Sequence, residues 1–129
     1  MVFGTFDILH RGHEFYISKA KEYGDFIVAV VGRDSTVAKL KGKKPKHNEL
    51  ERVEQLQKSK LVNEVVLGNH GDKYKIIEEH KPDILIFGYD QHSFNIGIEK
   101  ELENRNLESI KIIQIHQSYK PEIYKSSKL

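Results

Sequence analysis

Five short runs rich in Val, Ile, Leu and Phe recur along the chain, each separated from the next by an amphipathic or charged stretch. They are Val2–Phe3, Phe26–Val31, Glu64–Leu67, Ile84–Phe87 and Lys111–Ile115, flanked by Gly, Asp or Asn. Continuous apolar runs of strand length suit strands buried on both faces. The stretches between them read as helices. His13–Tyr23 has Gly24 in position to end it. Leu50–Lys60 carries Leu50, Val53 and Leu56 at helical spacing, and Asn48 with Glu51 is placed to form its capping box. Tyr74–His80 stops ahead of Pro82, and Ile98–Asn106 is strongly charged. Strands alternating with helices imply a parallel sheet with right-handed crossovers. The expected class is α/β, with a site at the carboxyl ends of the strands.

Length and composition narrow the possibilities. At 129 residues, with no repeat, no low-complexity tract and no linker, residues 1–129 are expected to form one domain. Cysteine is absent, which removes disulfides, thiolate metal sites and cysteine nucleophiles and fits a reducing, cytoplasmic setting. No apolar run approaches the roughly 20 residues that span a bilayer, so no membrane association is expected. No charged-then-apolar leader precedes the first motif, so no secretion signal is expected. The 21 basic and 19 acidic residues nearly balance and are interspersed, which speaks against nucleic acid as a partner. Val2–Phe3 is short for a central strand and Leu129 falls where another helix can begin. The natural chain is therefore expected to extend slightly further.

The segment Gly4-Thr5-Phe6-Asp7-Ile8-Leu9-His10-Arg11-Gly12-His13 links the first strand to the first helix. A helix N-terminus offers unpaired N–H groups and a positive dipole end to a phosphate. Gly4 and Gly12 remove side chains where a ligand can approach the backbone. His10 and His13, three residues apart, share a face and can donate to phosphate oxygens as charge builds in a transition state. On spacing alone, a surface or capping role for the two histidines is as open as a catalytic one. A metal site has less behind it, because no third ligand lies nearby. Arg33-Asp34-Ser35-Thr36 follows the second strand, and Lys39–Lys46 reads as a basic loop ending in a Pro turn, by default a solvated charge run. Ile84–Phe87 runs into Gly88-Tyr89-Asp90-Gln91-His92, which reads as a turn with a capping Asp or as a strand-end site for Asp90.

The Gly4–His13 segment resembles the His-x-Gly-His signature of the cytidylyltransferase-like nucleotidyltransferases, in the position after the first strand that this family uses. The resemblance implies a Rossmann-like three-layer sandwich on a parallel sheet of about five strands. It implies that His10 and His13, with Arg11 and Gly12, contact a triphosphate, and that Thr5 and Phe6 line the nucleotide pocket. Asp34–Thr36, Lys41 with Lys43, and Glu51-Arg52 are similar to the family's Asp-Ser-Thr stretch, lysine loop and Glu-x-Arg pattern. Lys41 is the preferred phosphate ligand, and Arg52 is either a site residue or an ordinary surface residue of its helix. Ser126 and Ser127 resemble a late hydroxyl pair that meets the β and γ phosphates. Lys120 stands near an arginine of that motif but lacks its bidentate reach. Tyr119 matches a nucleotide-site tyrosine.

Gly88-Tyr89-Asp90-Gln91 resembles the archaeal FAD synthase branch, which implies ATP and FMN as substrates and FAD and pyrophosphate as products. The alternative is a CTP-dependent cytidylyltransferase acting on glycerol 3-phosphate or a similar alcohol or sugar phosphate. A nucleotide-binding regulatory module without activity is a third reading. A divalent cation, Mg²⁺ by expectation, bridges the phosphate oxygens and needs no protein cage. The family resemblance also implies a homodimer.

Overall fold

The computed structural model describes residues 1–88 and 97–115. In chain order the elements are β1 (Val2–Gly4), α1 (Arg11–Ala20), β2 (Val28–Val31), α2 (Asp34–Lys41), α3 (Glu49–Ser59), β3 (Glu64–Leu67), α4 (Lys75–His80), β4 (Ile84–Phe87), α5 (Ile98–Asn104) and β5 (Lys111–Gln114). The strands form one sheet in the order β3-β2-β1-β4-β5, and every neighbouring pair is parallel. The order reverses at β1, so the topological switch point lies between β1 and β4.

Side chains alternate across the inner strands and give two apolar layers. Val2, Ala29, Val31 and Ile86 pack on one face with Ile17 and Ala20 of α1 and Leu56 of α3. Phe3, Val30, Leu85 and Phe87 pack on the other with Ile76 and Ile77 of α4 and Ile98 and Leu102 of α5. Phe3 and Phe87 stack across the switch point with ring centroids 5.1 Å apart. Full burial on both faces holds for these inner strands. The edge strands β3 and β5 are only half-buried, because a sheet edge has a neighbour on one side alone.

Several element ends differ from the sequence reading. Helix α1 ends at Ala20, with Lys21 at its C-cap in right-handed conformation. Gly24 is an exposed loop residue, with nothing within 4 Å of an added Cβ, and does not terminate the helix. The start of the basic segment is helical, not loop. Residues 34–41 form α2, which stops at Gly42 with φ 75°, a backbone conformation natural to glycine. The lysine-rich composition masked this helix, since Lys and Leu favour helix even where charge suggests a loop. The Asn48 capping box is present, with Asn48 Oδ1 accepting from Glu51 N–H at 2.8 Å and Glu51 Oε1 accepting from Asn48 N–H at 2.9 Å.

Candidate active site

The two histidines form the N-terminal cap of α1. His10 is the N-cap residue, and its Nδ1 accepts the Gly12 N–H at 3.0 Å. His13 reaches back, and its Nδ1 accepts the His10 N–H at 3.2 Å. This is a capping box with imidazoles in both side-chain roles. A ring nitrogen that accepts carries no proton, so each neutral ring holds its proton on Nε2. The cap therefore sets the tautomer and makes each Nε2–H a donor. The rings lie together, centroids 4.1 Å apart, at the positive end of the helix dipole.

Two glycines make this arrangement possible. A Cβ on Gly12 would sit 2.7 Å from His10 Cε1 and 3.0 Å from His10 Nδ1. Only glycine lets the ring fold back over the helix end. A Cβ on Gly4 would sit 2.9 Å from two atoms of the Phe6 ring. Phe6 is 1% exposed and takes a left-handed backbone at φ 53°. Its ring lies 5.4 Å from that of His13. In this structure the glycines accommodate the protein's own rings, and the Phe6 ring supports His13 from the core.

Arg52 holds the surrounding loops in register. It is a fully buried charged residue, 0% exposed, and so not an ordinary surface residue of its helix. Its guanidinium donates to the Thr5 carbonyl at 2.8 Å, the His47 carbonyl at 3.0 Å and Asp34 Oδ1 at 2.7 Å. Asp34 and Glu49 cap each other's helices. Glu49 Oε1 accepts the Asp34 N–H at 2.9 Å, and Asp34 Oδ2 accepts the Glu49 N–H at 3.2 Å. Arg33 extends the network, donating to Glu49 Oε2 at 2.9 Å and to the Gly68 carbonyl at 2.7 Å. The Asp34 N–H bond foremost, with the Arg33 guanidinium, holds the Glu49 carboxyl below its usual range.

Asp7 ties the β1–α1 loop to the lysine segment. Its carboxylate accepts the Lys46 N–H at 2.6 Å and the His47 N–H at 2.8 Å, and the His47 ring lies 3.2 Å away. Desolvation pushes this carboxyl up, but the two backbone bonds and His47 outweigh it and leave it below its usual range. Between these segments opens a cavity of about 290 Å³ lined by Thr5, Asp7, Val37, Lys41, Lys43, Lys44, Pro45 and Lys46. Four ammonium groups around one cavity suit a polyanion. A second cavity of similar size, between α5 and β5, is lined by Glu99, Glu103 and Glu108 with Leu102, Ile110 and Ile112. Its carboxylates would repel phosphate.

The structure thus places Thr5 and Lys41 on one cavity, His10, Gly12 and His13 together in the cap of α1 that follows Thr5 in the same loop, and Arg52 on the Thr5 carbonyl. Arg11 is the exposed first residue of α1. Asp90, Tyr119, Lys120, Ser126 and Ser127 lie outside the described residues, as does Tyr89. Sequence reasoning missed Asp7, Asp34, His47 and Glu49 as parts of the scaffold. Their pairings span 15 to 40 residues, and no local pattern reveals such contacts. Among the described residues, no group of three or more His, Asp or Glu is placed to hold a metal ion. Likewise, no helix among them is long and apolar enough to cross a membrane.

A parallel sheet with a histidine-capped helix after its first strand, and a lysine-lined cavity beside the loop that joins them, suits a phosphate-bearing ligand and marks a nucleotide-binding class of α/β protein. Comparison with known proteins makes this specific. The cytidylyltransferase-like family model matches residues 1–129, and the chain belongs to that family. The FAD synthase of Methanothermus fervidus is 42% identical over 132 residues, an alignment covering 100% of this chain and 90% of that protein. The FAD synthase of Thermococcus sibiricus is 38% identical, with 98% of this chain and 85% of that protein covered. Among solved structures, a lipopolysaccharide core biosynthesis protein from Thermoplasma volcanium GSS1 superposes with a TM-score of 0.84 at 39% identity, covering 92% of this chain and 95% of that one.

Proposed function

We propose that this chain is an FAD synthase, a nucleotidyltransferase that transfers AMP from ATP to FMN. The single observation that carries the reading is identity of 37–45% to FAD synthases from several archaea, over most of the chain. The cytidylyltransferase alternative is not favoured by these relatives. A phosphate oxygen of FMN attacks the α-phosphorus of ATP in line. The bond to the bridging oxygen breaks, and pyrophosphate leaves with that oxygen and its electron pair. Such chemistry relies on positioning and charge stabilisation.

In this reading His10 and His13 donate from Nε2–H to the triphosphate, supported by the tautomer that their capping bonds impose. Lys41 closes on the phosphates from the cavity wall. Thr5 and the Arg11–Gly12 backbone complete the cradle, and Phe6 acts through His13. Arg52 holds the cradle in place and does not contact phosphate, since Asp34 and two carbonyls engage its guanidinium. Asp90, Tyr119, Ser126 and Ser127, with Lys120, are assigned to the nucleotide by resemblance alone. We assign a divalent cation, Mg²⁺, to the incoming triphosphate as part of the substrate. Residues 1–129 act as one domain, as a homodimer, in the cytoplasm and without nucleic acid. The test is multiple-turnover conversion of ATP and FMN to FAD by the native chain and by His10→Ala and His13→Ala. Loss of one transition-state donor lowers turnover by about 10²–10³-fold. A variant with wild-type turnover at saturating substrate removes that histidine from the mechanism.

A further inference from the structure

Strands β1 and β4 meet at a single pair of residues, Val2 and Ile86. By contrast, β1 pairs with β2 as far as Gly4 and Val31, and β4 with β5 as far as Phe87 and Gln114. The two central strands therefore part toward their carboxyl ends, where a switch-point crevice opens. The Tyr16 hydroxyl sits where they part. It accepts the Phe3 N–H at 3.2 Å and donates to the Ile86 carbonyl at 2.5 Å. A phenolic hydroxyl has one proton to give and lone pairs to receive, so a single atom engages both strands. Tyr16 lies on α1, three residues after His13 and on the same face. One half-buried side chain thus joins the helix that carries the histidine cap to the two strands that frame the crevice.

We infer that Tyr16 is a positioning residue for nucleotidyl transfer. Its hydroxyl fixes the height of α1 against β1 and β4, and so sets where His10 and His13 stand relative to Gly4–Phe6 and Gly88. The inference rests on the reading of the histidines as phosphate donors. It goes beyond that reading in assigning their placement to a side chain outside the motif. Tyr16→Phe removes one oxygen and keeps the ring in the core. Without the tether, α1 is free to shift by a fraction of an ångström to about 1 Å, a displacement that costs up to roughly 10²-fold in rate.

The experiment is a double-mutant cycle of Tyr16→Phe and His13→Ala in the full chain. The kcat for FAD formation is corrected to the folded fraction by circular dichroism. Tyr16→Phe is expected to lower kcat by about 10- to 100-fold with KM for ATP within about threefold, and to add less than about threefold once His13 is absent. Losses that multiply in the double variant overturn the inference and leave the histidine reading standing. An undiminished kcat with a lowered melting temperature also overturns it, because the hydroxyl would then serve stability alone. A Tyr16→Phe chain that does not fold counts against it equally. A His13→Ala chain with wild-type kcat refutes the histidine reading and this inference together.

Discussion

Replacing Arg52 by methionine removes a buried guanidinium that bonds the Thr5 carbonyl at 2.8 Å, the His47 carbonyl at 3.0 Å and Asp34 Oδ1 at 2.7 Å. Methionine fills similar space with a flexible apolar chain, so the cost is mainly polar. Removing one partner of a buried ion pair costs about 3–5 kcal/mol. The Asp34 side chain is 38% exposed, so water takes over part of its charge and the expectation moves to the lower end, about 3 kcal/mol. For a domain of this size that lowers Tm by roughly 10 °C. Arg52→Lys recovers at most part of this, because an ammonium lacks the planar fork that reaches three acceptors. Urea unfolding followed by circular dichroism gives the stability, and calorimetric titration at a temperature below both transitions gives ATP affinity. Both are expected to fall together, with the stability loss present in the absence of ATP. Unchanged stability with lost ATP affinity would refute the reasoning, since the guanidinium would then serve the phosphates and not the loops.

Gly12→Ala places a Cβ 2.7 Å from the His10 ring, so the ring must leave its cap. Turnover is expected to fall as far as in His10→Ala, with a stability loss of about 1 kcal/mol from the broken cap, read by kcat and urea unfolding. Lys41→Ala is expected to raise KM for ATP or lower kcat more than Lys46→Ala, although both side chains line the cavity. Equal small effects in steady-state assays of both variants would return the segment to a solvated charge run. The carboxyls of Asp7 and Glu49 are held below their usual range in the folded chain. Their stabilisation is thus present above the unfolded carboxyl range, near pH 4, and lost as pH falls through the lower folded values. Asp7→Asn is expected to flatten the acid limb of a stability-against-pH curve while lowering stability at neutral pH. An acid limb identical to the native one would contradict this.

The architecture was legible because its signals are local. Two strands, Glu64–Leu67 and Ile84–Phe87, fall where their apolar runs place them, and the Asn48–Glu51 cap is written in four consecutive residues. The Gly4–His13 segment reads in sequence as a candidate phosphate cradle. Its spacing left capping and catalysis open, and the structure shows the capping role directly. Helix α2 was obscured because six of the 21 basic residues fall in 33–46, and charge density there outweighed helix propensity. Arg52 is written as one more polar residue in an amphipathic helix. Only the fold brings it under Thr5, 47 residues away. Tyr16 is hidden for the same reason, since its acceptor on Ile86 lies 70 residues away.

The central claim is that this chain joins ATP to FMN. The most direct measurement is kcat/KM for four nucleotide–acceptor pairs, ATP or CTP with FMN or glycerol 3-phosphate, read by pyrophosphate release and product mass. A site built to pair one base edge rejects another that leaves its polar groups unpaired. FAD formation from ATP and FMN is expected to exceed every other pair by at least about 10²-fold. Faster formation of CDP-glycerol from CTP and glycerol 3-phosphate would contradict the account.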